Sequence, residues 1–237
     1  MLRTSMELGG NAPFLVFDDA DVEAAVAGAM QAKFRNVGQA CTAANRFLVH
    51  ESVAADVTAR LVAQVEALRV GPGDREGTTI GPLVDARAVE RITALVDDAV
   101  AAGARVLTSR DLPDDLPPGG SYLAPAVVVD VPAHAAILRE EIFGPVVTIQ
   151  TFADEDEAVA LANGTEFGLV SYAYTRDLAR AQRLVERLET GMTGINVGVV
   201  SNAAAPFGGV KASGLGREGG SEGLEEYQSV KYALTPA

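Results

Sequence analysis

The chain has 237 residues, 48% hydrophobic and 22% charged, a composition that excludes disorder and collagen and supplies enough apolar material for one large or two small cores. Its 19 basic and 32 acidic side chains leave a net charge of -13, a field that repels nucleic acid and anionic lipid and removes both from the expected partners. A small anionic substrate stays open, because one arginine in a pocket outweighs a diffuse surface field.

No apolar run reaches the eighteen or so residues of a membrane span, and the first ten residues lack the apolar core of a signal peptide, so a cytoplasmic protein is expected. The single cysteine, Cys41, permits no internal disulfide. With only His50 and His134 beside it, no familiar zinc spacing arises and no metal is expected.

β-Branched runs alternate with segments of helical period, which predicts an α/β fold: an open, largely parallel twisted sheet flanked by helices. A strand over 14–17 leads to a helix with Val22, Val26, Met30 and Phe34 on one stripe, and Asp18, Asp19 and Asp21 suit its N-terminal end. Residues 46–50 read as a strand, and Val53, Val57, Leu61, Val65 and Leu68 as the next helix. After the turn-rich 71–77 comes a third helix, with Val89, Ile92, Val96 and Val100 on one face and Gly103 at its C-terminal cap. A strand begins at Val106 and Leu107, and the proline- and glycine-rich 111–120 reads as an exposed loop. Strands over 126–131 and 146–151, a helix over 155–162 and a strand over 171–174 follow. A last helix carries Leu178, Ala181, Val185 and Leu188 as its stripe and Gly191 as its cap, and a strand over 194–197 closes the series. No internal repeat is visible.

Gly214-Leu-Gly216-Arg-Glu-Gly219 has the spacing of a dinucleotide-binding turn, but a polar segment precedes it where a strand is required and no βαβ unit follows, so it is set aside. Cys41 is more informative. A lone cysteine is ordinarily an inert buried thiol, yet this one lies in a polar, small-residue connection between a helix and a strand, with Gly38 allowing close backbone approach and neighbouring amides free to hold an oxyanion. A covalent adduct on such a thiol needs a base to activate water. Glu7, followed by Leu8 and two glycines and leading into an apolar strand, is a candidate whose setting can raise its pKa; taken alone it also reads as a surface residue.

Four motifs in order, Glu7-Leu-Gly-Gly10, Gly38-Gln-Ala-Cys41, Glu140-Glu-Ile-Phe-Gly-Pro145, and Pro206-Phe-Gly-Gly-Val-Lys211 with Ser213-Gly-Leu-Gly-Arg217, resemble the aldehyde dehydrogenase superfamily from residue 3 to the C-terminus. Lys33-Phe-Arg-Asn36 and Gly214-Leu-Gly-Arg-Glu218 are most similar to its succinate-semialdehyde branch. The resemblance implies NAD(P)-dependent oxidation of an aldehyde, most simply succinate semialdehyde to succinate, through a thiohemiacetal and thioester on Cys41, with Glu7 activating water. It implies that Glu141 grips the nicotinamide ribose of NAD or NADP and that Phe143 packs beside it, while Glu140 remains a solvated charge.

Arg35 and Ser201 match residues that bind the substrate's distal carboxylate in that branch, although Arg35 also suits the C-terminal end of its helix. Phe207 matches an aromatic wall of the substrate tunnel, with a core role nearly as natural. Three departures accompany the match: Ala43 stands where some members carry a redox-switch cysteine, the 199–205 loop is small and apolar around Ser201, and the family's upstream half is absent. The expected organisation is therefore 1–9 as the trailing edge of a cofactor-binding domain, 10–225 as the catalytic domain and 226–237 as an oligomerisation strand, in a homo-oligomer or paired with the missing half and inactive without it. A broader-specificity aldehyde dehydrogenase and a non-catalytic assembly module are the alternatives.

Overall fold

Runs of β-branched and aromatic residues become strands and the segments of helical period become helices in the structure, a computed structural model that describes residues 4–236. In chain order these are β1 (Met6–Glu7), β2 (Ala12–Val16), α1 (Val22–Phe34), a 3-10 turn (Arg35–Gly38), β3 (Ala44–His50), α2 (Glu51–Glu66), α3 (Ala86–Ala101), β4 (Arg105–Val106) and β5 (Ala126–Val129). There follow a second 3-10 turn (Ala136–Leu138), β6 (Val146–Phe152), α4 (Glu155–Asn163), β7 (Phe167–Gly168), β8 (Val170–Tyr174), α5 (Leu178–Arg187), β9 (Met192–Ile195), β10 (Val210–Lys211), β11 (Gly214–Leu215) and the short α6 (Glu222–Glu225).

Seven strands form one sheet in the order β4-β5-β6-β3-β2-β8-β9, parallel throughout except for β4 against β5. The expected open, largely parallel sheet is thus present. Strand alternation divides the core: Phe14, Val16, Phe47 and Val49 face a cluster with Leu61 and Tyr172, while Leu15, Phe17 and Leu48 face Phe152 and Leu184 on the other side. Asp21, Asp85, Asp154 and Asp177 each accept a backbone N–H as helix caps. His50 caps α2 through Nδ1, and its Nε2 contacts the carbonyl oxygen of Ala153, so this histidine has a structural post.

Several expectations need correction. The stripe expected on α5 is not its buried face: Leu184 is fully buried, whereas Leu178 is 76% and Val185 54% exposed. The helix packs through a single row at Leu184 and Leu188, and its arginines supply the rest of the docking. Arg183 and Arg187 pair with Glu155, and Arg180 reaches Asp18 and Asp19 while lying 4.6 Å from the Phe17 ring centroid. Gly191 is not the cap, since α5 ends at an extended Leu188 and the Gly191 amide pairs with the Gly168 carbonyl. β9 starts at Met192 rather than Gly194, β4 at Arg105, and β5 stops at Val129. The two-residue strands β1, β7, β10 and β11 carry no period and were not foreseen. They form two small antiparallel pairs, β1 with β11 and β10 with β7. Of the expected 1–9 segment, residues 1–3 lie outside the described residues; of 226–237, Ala237 does, and residues 229–236 belong to no helix or strand.

Asp19 joins the β2–α1 connection to the segment before α5, accepting from Thr175 Oγ and from the amides of Arg176 and Asp177. Burial works against its charge, but these bonds and Arg180 outweigh it and hold the carboxyl below its usual range. Asp19→Asn should cost about 1–2 kcal/mol at neutral pH in urea unfolding. Because the native pKa is the lower one, the difference between the two proteins should be full above the ordinary carboxylate value and vanish as pH falls through the native value.

Candidate active site

The motifs meet through backbone contacts that only glycine allows. A Cβ on Gly10 would run into the carbonyl oxygen of Cys41, and one on Gly38 into the carbonyl of Gly144, so the segments after β1, before Cys41 and before β6 lie directly against one another. Ser213 completes the knot, donating through Oγ to the Gly9 carbonyl at 2.7 Å and accepting from the Gly168 amide at 3.0 Å. Leu8 N donates to the Ser213 carbonyl at 3.1 Å. The sequence offered no reading for Ser213, because its role exists only once three distant segments are assembled.

Cys41 sits in a turn closed by the Ala43 amide on the Ala40 carbonyl. The approach to it is strained: Asn36 and the β-branched Val37 both adopt left-handed backbone, at φ 53° and 59°. Asn36 Nδ2 donates to the Gln39 carbonyl at 2.7 Å, and Gln39 Oε1 accepts from the Val84 amide at 2.9 Å, so the bend is held from both sides. The thiol is half-buried. Its pKa is raised by burial first and then by Glu141 and Glu7, while the backbone amides of Cys41 and Thr42 pull it down. Those amides are directed at the sulfur, the arrangement that would meet an oxyanion formed there.

Glu141 docks over the Gly9–Gly10 backbone, with Oε1 accepting from the Gly10 amide at 3.0 Å. Arg91 fixes its loop by donating to the carbonyls of Glu141 and Ile142, and Phe143 takes a left-handed φ of 53°. Burial raises the Glu141 pKa against the Gly10 bond, Arg91 and Lys33. Lys33, unforeseen, is wholly buried on α1 and donates to Asn45 Oδ1 at 2.8 Å; burial pushes its pKa down to about 7. Its trace in the sequence is a lysine seven residues after Val26, on the buried side of a helix of small residues.

Both Glu7 carboxylate oxygens are shielded from solvent and have no hydrogen-bond partner. Burial and then the Glu218 charge raise its pKa, with Arg217 opposing. Glu7 lines a cavity of about 580 Å³ with Arg217, Glu218 and Tyr227. Arg35 and Ser201 line a separate narrow cleft of about 20 Å³ together with Gln31, Tyr172 and the two sequence neighbours of Cys41, Ala40 and Thr42; Cys41 itself is not among its lining residues. Phe207 is not among the residues lining that cleft; its backbone pairs with Glu218 through two hydrogen bonds.

The profile of the aldehyde dehydrogenase family matches residues 1–233. The chain belongs to this family. It is 56% identical over 232 residues to a succinate-semialdehyde dehydrogenase of Paenarthrobacter nicotinovorans, covering 98% of this chain and 51% of the relative. A glutarate-semialdehyde dehydrogenase of Pseudomonas putida is 50% identical, with 97% and 47% covered. Among solved structures, an NADP-dependent enzyme of E. coli superposes with a TM-score of 0.93 at 48% identity, over 98% of this chain and 47% of that one. The chain spans about half the length of the curated relatives it matches.

In this member of the aldehyde dehydrogenase family the 214–219 glycines do not form a dinucleotide turn. Gly214 and Leu215 are β11, laid against β1 so closely that a Cβ on Gly214 would strike the Met6 carbonyl, and this pairing fixes the strand that bears Glu7. Two larger cavities, of about 700 and 670 Å³, lie along α2 and the 105–131 edge and contain none of the sequence-designated residues. No cluster of metal-ligating side chains and no helix long and apolar enough to cross a membrane occur among the described residues.

Two outcomes follow from this geometry. Gly10→Ala should displace the Cys41 turn and cost about 2 kcal/mol or more in chemical unfolding, since a backbone carbonyl cannot move aside as a side chain can. Glu141→Gln removes a negative charge that holds the proton on sulfur, so the pH midpoint of Cys41 alkylation by iodoacetamide should fall; an unchanged or higher midpoint contradicts the assigned coupling.

Proposed function

We propose that these residues form the catalytic portion of an NAD(P)-dependent semialdehyde dehydrogenase acting on an aldehyde with a distal carboxylate, succinate semialdehyde first. The observation that carries this is a cleft lined by Arg35 and Ser201, a guanidinium and a hydroxyl suited to a carboxylate, together with Ala40 and Thr42, the residues on either side of Cys41 in the chain. The names of the relatives, succinate- and glutarate-semialdehyde dehydrogenases, agree with a substrate of this class.

In this reading Cys41 Sγ, once deprotonated, adds to the aldehyde carbon, and the oxygen takes the negative charge facing the Cys41 amide. NAD or NADP, when bound, supplies the acceptor for the hydride that leaves that carbon. Glu7 then takes a proton from water, the hydroxyl adds to the thioester carbon, the C–S bond breaks, and the acid departs with the thiolate restored. A raised carboxylate without hydrogen-bond partners is suited to accept that proton. Glu141 and Phe143, held beside the Cys41 loop, fit the nicotinamide ribose end of the cofactor, Glu141 as acceptor for a hydroxyl. The described residues contain no strand, glycine turn and helix for the pyrophosphate, so a polypeptide of these 237 residues alone should bind NAD and NADP weakly in calorimetry and form no NAD(P)H with aldehyde.

Residues 1–9 are read as the edge of the cofactor-binding domain and 10–225 as the catalytic domain. The segment 226–237 is read as a strand for another subunit, a role supported by the exposed alternation of Val230, Tyr232 and Leu234. Cytoplasmic residence and a homo-oligomer belong to the same proposal, as does Phe207 as a wall of the substrate tunnel.

With the cofactor-binding half of a relative supplied by fusion or in trans, Cys41→Ala should abolish turnover, and Glu7→Gln should accumulate acyl-enzyme visible by mass spectrometry. Arg35→Leu should lower kcat/KM for succinate semialdehyde by about 10² or more and leave an uncharged aldehyde of similar size nearly unaffected. Equal losses on both substrates would assign Arg35 to the fold instead.

A further inference from the structure

Tyr172, on β8, is buried, and its ring is wedged in place. Gly194, its partner on β9, leaves the ring within 3.2 Å of where a Cβ would stand, and Phe14 lies 5.9 Å away between centroids. A ring so confined has one position for its hydroxyl, and that hydroxyl donates to the carbonyl of Thr42, the residue after Cys41, at 2.9 Å. Tyr172 also lines the cleft shared by Arg35 and Ser201. Val200, beside Ser201, packs over the same Gly194. One rigid side chain therefore spans the turn that carries the thiol and the groups suited to a carboxylate. Burial pushes its pKa up to about 12, so the hydroxyl remains a donor throughout the working range.

We infer that Tyr172 is a positioning residue that fixes the distance between the thiol and the carboxylate-reading pair Arg35 and Ser201, and thereby selects the chain length of the ω-carboxylate aldehyde. This rests on the carboxylate reading proposed above. A semialdehyde pinned at one end by Arg35 presents its carbonyl carbon at a distance set by its methylene count. One methylene displaces that carbon by about 1 Å, enough to cost about 10² in rate at a fixed nucleophile. Discrimination of this kind needs the thiol turn to hold its place relative to Arg35. The Gly10 contact holds the Cys41 carbonyl, and the Tyr172 to Thr42 hydrogen bond ties the following residue; without that bond the Thr42 side of the turn shifts with the longer or shorter chain.

The lone cysteine permits a test that needs neither cofactor nor turnover, because alkylation detected by mass spectrometry and missing from a Cys41→Ala control is at Cys41. 4-Bromobutanoate places its reactive carbon where the four-carbon semialdehyde has its aldehyde carbon, 5-bromopentanoate where the five-carbon one does, and 4-bromobutanamide lacks the charge. The unsubstituted protein should react with 4-bromobutanoate about tenfold faster than with either other reagent. Tyr172→Phe keeps the ring, and its melting curve reports whether packing survives. It should retain the preference for acid over amide and the amide rate, while the ratio of four-carbon to five-carbon acid falls about fivefold or more. A retained length ratio in Tyr172→Phe, with acid still preferred over amide, overturns this inference alone. Equal rates with acid and amide in the unsubstituted protein overturn the carboxylate reading and this inference with it.

Discussion

The contact between Gly10 and the carbonyl of Cys41 is the constraint from which the site follows. Two segments thirty-one residues apart in the chain lie backbone against backbone, and the first carries Glu7 while the second carries the thiol. Close packing of main chains leaves backbone polar groups to be satisfied inside the knot, and side chains meet several of them: Ser213 bonds the Gly9 carbonyl and the Gly168 amide, and Glu141 takes the Gly10 amide. The glycines that permit the approach thus also dictate which polar side chains occupy its margins. Because the interiors of such contacts do not deform continuously, the reactive groups are held by the fold and not by their own rotamers.

Two buried cations support this arrangement without a salt-bridged carboxylate. Arg46 on β3 donates to the carbonyls of Asn11, Leu161 and Ala162, the last two at the C-terminal end of α4, where the helix dipole favours positive charge. Burial lowers its pKa to about 10 and leaves it charged. It pins Asn11, the residue after Gly10, to a helix on the other face of the sheet. Lys33 is different, for it donates to the Asn45 amide oxygen and its pKa falls to about 7. The Glu141 charge opposes that fall without overcoming burial, and a few carbonyls at a helix end serve an arginine better than one amide serves a lysine.

Much of the fold was legible in the sequence because parallel strands buried on both faces read as unbroken β-branched runs and the helices carry aspartate caps. The failures share a cause. On α5 the pattern of Leu178, Ala181, Val185 and Leu188 is as good a helical stripe as the true one, and what turns the helix is the set of arginines at 180, 183 and 187 reaching Asp18, Asp19, Glu155 and Asp156. Partners in distant segments carry no local signal. Of the residues in the proposed site, Cys41 and Glu7 had a reading in their own surroundings, and Glu141, Arg35 and Ser201 only in the resemblance. Lys33, Ser213 and Tyr172 had none, since each owes its role to a partner on a strand or loop that periodicity cannot locate. Phe207 falls between: its residue type suited a wall, but its backbone is committed to Glu218.

The electrostatics of the resting site are opposed to a thiolate, and this follows from the same crowding. Glu141 and Glu7 both lie close enough to Cys41 to raise its pKa, and burial adds to them, against which only two backbone amides act. A thiol held protonated in this way is protected from adventitious oxidation and alkylation, which select for thiolate character. Reactivity then depends on removing one of the opposing terms. Glu141 is the stronger of the two carboxylate influences, and the hydrogen bond from the Gly10 amide holds it beside the thiol turn. In the proposed reading, a cofactor hydroxyl bonded to Glu141 would draw its charge from the thiol, so that occupancy and activation would be coupled through this carboxylate.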